Sequence, residues 1–133
     1  MSRPTTVLKT PFLELEMYYT ERVVLVRRTN APFVRVSDVE GTIEALAKAL
    51  PLERRSGYGL LVDNRAAPVR ADPSLEPAFA RYRTEVERGF SRIVVVVETP
   101  LGKIRSERLG QTAQVPLEIV DSLEAAWEHL RGG

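Results

Sequence analysis

The stretch Arg92 to Glu98 reads RIVVVVE, and it restricts the folds open to this chain more than any other segment. β-Branched side chains are stiff at χ1 and suit a pleated strand. Successive strand residues point to opposite faces, so an unbroken apolar run needs burial on both. Two-sided burial is the habit of a parallel strand held between helical layers. The run Ile93 to Val97 is also the longest apolar stretch, far short of the ~20 residues a membrane helix needs.

The other segments alternate in type around this strand. Phe12 to Tyr19 reads FLELEMYY, in which Leu13, Leu15 and Met17 alternate with Glu14 and Glu16. That is the period of a strand with one wet face, on which both glutamates sit. Tyr18 and Tyr19 close it, and one of them must face outward. Arg22 to Thr29, RVVLVRRT, is a second and more buried strand. The short link Thr20-Glu21 makes the two an antiparallel hairpin.

Ser37 opens a helix, with Glu40 placed to complete a capping box. Val39, Ile43, Leu46 and Leu50 share one face of it, and Pro51 stops it. Gly57 to Asn64, GYGLLVDN, is the third strand. The next helix starts near Asp72 or Ser74, turns Leu75, Phe79, Tyr82 and Val86 inward, and stops at Gly89. Outside, Arg81 with Glu85 and Arg83 with Glu87 are spaced for i,i+4 pairs. The valine-rich segment is the fourth strand. Pro100 starts a short helix that Gly110 ends, and Val115 to Val120 is the fifth strand. Asp121 or Ser122 caps a last helix with Leu123, Ala126, Trp127 and Leu130 inside.

This order predicts an α/β class: one domain over residues 12–131, behind a loose lead-in over residues 1–11. The sheet is expected to be mostly parallel and five-stranded, with an N-terminal antiparallel hairpin and four helices. A length of 133 residues suits one such domain.

The residues that carry chemistry are mostly missing. There is no cysteine, which removes thiol nucleophiles, thiolate metal sites and disulfides. The one histidine, His129, falls in the last helical turn, so no multi-histidine metal site can form. No Gly-x-Ser-x-Gly elbow occurs, and Gly57-Tyr58-Gly59 precedes a strand instead of opening a helix. Catalytic residues, cofactors and metals are therefore expected to be none. A net charge of +1 gives no reason to expect nucleic acid or an anionic membrane as partner. The first ten residues lack a signal-peptide core, which makes the cytoplasm the expected location.

Several segments resemble STAS-like domains, the fold of bacterial anti-sigma-factor antagonists. They are RRTNAPF (Arg27 to Phe33), YGLLVDNRAAPVRADP (Tyr58 to Pro73), AFARYR (Ala78 to Arg83), GFSRIVVVVETPLGKIRSERL (Gly89 to Leu109) and the helix around Trp127. The likeness is to the SpoIIAA-like branch, whose fold is also similar to lipid-binding CRAL-TRIO domains. It implies a non-catalytic regulatory or protein-interaction module. It also implies a phosphorylatable hydroxyl at the helix after the third strand, where the matching residue is Ser74. Pro73 stands where the family has a small or hydroxyl residue. Asp72 and Ser74 are equally good helix caps.

Open α/β sheets bind ligands beyond the carboxyl ends of their strands. Here that rule selects Asp63, Arg65 and Arg70 after the third strand, and Thr99, Lys103 and Arg105 after the fourth. Side by side these make a polar, partly basic rim. Asp63 can instead pair with Arg65 or satisfy nearby turn amides. Three readings follow for the chain: a module for a protein partner, a binder of a small amphiphile or lipid-like ligand, and an enzyme with an unfamiliar site at this rim. Homodimer formation, through the hairpin edge or an exposed helix, is left open.

Overall fold

The computed structural model describes residues 2–68, 72–98 and 117–131. Its strands are β1 (Thr5–Lys9), β2 (Leu13–Tyr18), β3 (Val23–Arg28), β4 (Gly59–Asp63), β5 (Ile93–Val96) and β6 (Leu117–Val120). Its α-helices among the described residues are α1 (Val36–Ala49), α2 (Glu76–Glu87) and α3 (Leu123–Arg131). The strands lie side by side in chain order. β1, β2 and β3 pair antiparallel; β3 through β6 pair parallel.

The fold is therefore α/β with a mixed sheet, of six strands among the described residues and not five. The added strand comes from the expected lead-in. Thr5–Lys9 pairs with β2 and makes the sheet edge, with a register irregularity between Thr6 and Leu8. Its half-exposed TTVLK sequence lacks a clear alternation, so periodicity does not reveal it. The helix expected from Pro100 to Gly110 lies outside the described residues, as does the start of the strand expected from Val115.

Burial follows the reading of the valine run. All four β5 residues are buried, as are Leu60 to Asp63 of β4. One face carries Leu13, Leu15, Met17, Val24, Val26, Leu60, Val62, Ile93 and Val95, packed with Leu46 of α1, with Leu50 at the C-cap of α1 and with Val86 of α2. The other carries Val23, Leu25, Leu61, Val94 and Val96 against Ala126, Trp127 and Leu130 of α3. Tyr18 joins this second face, its ring edge-on to Trp127 at 4.8 Å, while Tyr19 points outward.

Local details depart from expectation in two places. Helix α1 begins at Val36, so Ser37 lies inside it and is not its cap. Asp38 instead accepts hydrogen bonds from the Val34 and Arg35 amides, each at 3.0 Å. Arg83 does pair with Glu87, but Arg81 reaches across to Glu40 of α1, and Glu85 pairs with Arg88. An exposed long side chain takes whichever acid its rotamer reaches, and intrahelical spacing does not decide it.

Arg55 holds the carboxyl ends of α1 and α2 together. It is 1% exposed and donates to the carbonyls of Leu50 (3.1 Å), Glu85 (2.7 Å) and Arg88 (2.7 Å). The last carbonyls of a helix lack intrahelical partners, and a guanidinium supplies several donors at once. Burial lowers its pKa. Gly89 leaves α2 with φ +86°, and a Cβ there would meet Arg55 Cδ at 3.4 Å. Arg55→Ala should destabilise the fold by about 3 kcal/mol, because buried carbonyls lose their donors. Arg55→Lys should recover less than half of that loss, since an ammonium cannot span the same acceptors. Urea unfolding followed by the fluorescence of Trp127, the one tryptophan, measures both.

Candidate functional site

The sheet's α3-side face changes character toward the carboxyl ends of the parallel strands. Leu25 and Leu61 are apolar and covered; two residues further along come Arg27 and Asp63. Register places Lys9, Glu14, Arg27 and Asp63 in one row across β1 to β4, because Lys9 faces Glu14, Glu14 faces Arg27, and Arg27 faces Asp63. Their charges alternate in sign along the row. Directly opposed unlike charges favour a cross-strand pair, so the row supports the register.

Asp63 ends this row. Its side chain is 4% exposed. Oδ1 accepts from Arg65 Nε at 2.9 Å and from the Arg65 backbone amide at 3.2 Å, and Oδ2 accepts from Arg65 Nη2 at 3.0 Å. Arg27 Nε lies 3.5 Å from Oδ2. Burial pushes the carboxyl pKa upward, but the Arg65 hydrogen bonds and the charges of Arg65 and Arg27 outweigh it. The carboxyl is held below the usual aspartate range. Both sequence alternatives for Asp63 are thus realised together: it pairs with Arg65 and satisfies a turn amide.

Arg27 is shared between β2 and β4. Its Nη1 donates to Glu16 at 2.8 Å and lies 3.9 Å from Glu14. The two glutamates, expected on a wet strand face, are half-buried by this pairing. The next residue, Arg28, points to the other face. It is 7% exposed, donates to the Phe12 and Ala31 carbonyls, and lies over the Phe33 ring at 4.3 Å.

Arg27, Arg28, Asp63, Arg65, Ala66 and Glu98 line an open cleft of about 290 Å³ at these strand ends. Its shallowness has a topological cause. The segments leaving β3 and β4 lead to α1 and α2, which cover the same face of the sheet. Deep crevices in open α/β sheets form where neighbouring connections go to opposite faces.

Of the residues selected from sequence, the structure brings Asp63 and Arg65 together and adds Glu98 beside them. Arg70, Thr99, Lys103 and Arg105 lie outside the described residues. Ser74 is exposed at the short 3₁₀ turn before α2. Its amide and hydroxyl both donate to Asp72 Oδ1, at 3.0 and 2.7 Å, so Asp72 caps that turn. His129 is exposed in the last turn of α3, away from the cleft lining. Arg27 was not selected by sequence, although a signal for it exists. It falls two residues after Leu25 in an otherwise apolar strand, on a face where a charge needs a partner.

Two tyrosines also shift, both upward. Burial pushes the Tyr82 phenol up to about 12, and burial with the Glu16 charge raises Tyr18. Among the described residues no cluster of three potential metal ligands occurs. Comparison with protein-family models, curated proteins and solved structures returns no match.

Asp63→Asn tests the electrostatics. A folded-state pKa below the unfolded value of about 3.9 stabilises the fold fully above that value. The contribution is lost as pH falls from about 4 through the folded-state value. The variant should lose about 2 kcal/mol at pH 7 and show a shallower decline below pH 4. Urea unfolding across that range measures it; identical acid slopes for both proteins would contradict the assignment.

Proposed function

We propose that this chain is a non-catalytic interaction module, and that a polar segment of a protein partner docks at the carboxyl ends of β3, β4 and β5. One observation carries the reading. Asp63, the buried acid of the cleft, is already neutralised by Arg65 and Arg27. A general acid or base works best with a pKa near the operating pH and an open path to substrate. Asp63 has neither: its pKa is depressed and its oxygens are occupied. What the cleft does offer is an open, charged, pre-ordered surface, which suits recognition more than turnover.

The likeness to STAS-like domains supports the same reading. So does the lining, in which five of six residues carry a charged side chain. Within this reading Ser74 is the candidate for phosphorylation. Its hydroxyl now donates to Asp72, and a phosphate there would repel that carboxylate.

The test is affinity capture from the source cells with tagged full-length protein. Ala66→Phe fills the cleft from an exposed turn, adds no charge and leaves the ion pairs of Asp63 in place. Wild type should recover a partner, and Ala66→Phe should lose it at least about tenfold, equivalent to 1.4 kcal/mol. An unchanged Trp127 emission spectrum shows that the variant is folded. Capture that ignores the substitution, or recovers nothing at native abundance, overturns the reading.

A further inference from the structure

The donors that Asp63 leaves unused indicate what the docked segment carries. A guanidinium has five N–H donors in a fixed fork. Arg65 gives Nε and Nη2 to Asp63, and its Nη1 has no partner among the described residues. Arg27 gives Nη1 to Glu16 and places Nε by Asp63, and its Nη2 likewise has no partner among the described residues. Both side chains are little more than one-third exposed, 38% for Arg27 and 37% for Arg65, so each keeps an outer edge in water and a stem held by the fold. They converge on one carboxylate and line one cleft.

We infer that the outer donors of Arg27 and Arg65 together bind an oxyanion, a carboxylate or phosphate group presented by the docked segment. The inference rests on the interaction-module reading and adds the chemistry of the partner. Guanidinium forks match these groups geometrically, and two forks fixed by a shared anchor lose little freedom on binding. Two guanidiniums, Arg27 and Arg65, stand in the cleft lining with two carboxylates, Asp63 and Glu98. The Arg28 guanidinium is spent on the other face, over Phe33. Glu14 and Glu16 hold Arg27 from β2 and are not part of that lining. Glu98 is exposed and adds to the positive stabilisation of Arg65, so it competes with an incoming anion. It sets an upper limit on affinity and supplies a control.

Titration of the isotopically labelled full chain, followed by amide and arginine side-chain NMR, tests the inference. The probes are N-acetyl-glutamate amide and N-acetyl-phosphoserine amide, with chloride adjusted to hold ionic strength constant. At least one should saturate at about millimolar concentration, with shifts confined to Arg27, Arg65, Ala66 and their neighbours. The tighter probe identifies the source of the oxyanion. Glu98→Gln should tighten binding by about threefold, the size expected for removing one exposed like charge. Arg27→Gln should abolish saturation. This variant leaves the Arg65–Asp63 pair intact, and its folding is checked by Trp127 emission. Linear, non-saturating shifts with both probes, or weaker binding in Glu98→Gln, overturn the inference. If capture of a partner still depends on Ala66 while both probes fail, the oxyanion assignment falls alone; if capture fails as well, the module reading falls with it.

Discussion

A strand that is apolar on both faces can persist only where something dry lies above and below it. β4 and β5 impose that demand, and the architecture satisfies it with α1 and α2 on one side and α3 on the other. Parallel pairing of β3, β4 and β5 follows, because each crossover must carry a covering helix between neighbouring strands. The hairpin strands β1 and β2 extend the sheet largely past α3 on one face, while α1 still reaches β1 on the other. Polar residues are accommodated there, and β2 alternates buried with half-buried positions where β5 does not.

The charged row forms where two-sided burial ends. Asp63 occupies the last position of β4, still 3% exposed, so its charge needs compensation within hydrogen-bond reach. Arg65 is reached by the chain's own turn, and Arg27 by the parallel register with β3. The same interaction therefore fixes a strand end, neutralises a buried acid and aims two guanidiniums outward. Breaking the pair from one side costs more than its net contribution, because the remaining charge stays partly desolvated.

Much of this was legible in the sequence for a physical reason. The valine run, the Leu13–Met17 alternation and the helical spacing of Val39, Leu46 and Leu50 are strong periodic signals, and each maps onto buried positions. β1 was not legible because an edge strand of mixed exposure has no period to detect. Of the site, Asp63 and Arg65 were legible from the rule for strand ends. Arg27 was not, since its partners come from β2 and β4, and only the register brings them within reach. Arg55 was hidden likewise: its acceptors are backbone carbonyls at the ends of two different helices, Leu50 on one and Glu85 and Arg88 on the other, and no side-chain pattern announces them.

The irregularity in β1 has a consequence for how molecules of this chain meet one another. An edge strand offers unpaired amides and carbonyls as a template on which a second sheet can grow. In β1 the register slips between Thr6 and Leu8, so Val7 interrupts the even spacing that a regular incoming strand must match. The strand spans only five residues and ends on Lys9, whose ammonium remains largely in water. Short length, a kink and a terminal cation together blunt the edge against uncontrolled sheet extension. A segment with little periodic signature thus guards the chain against aggregation.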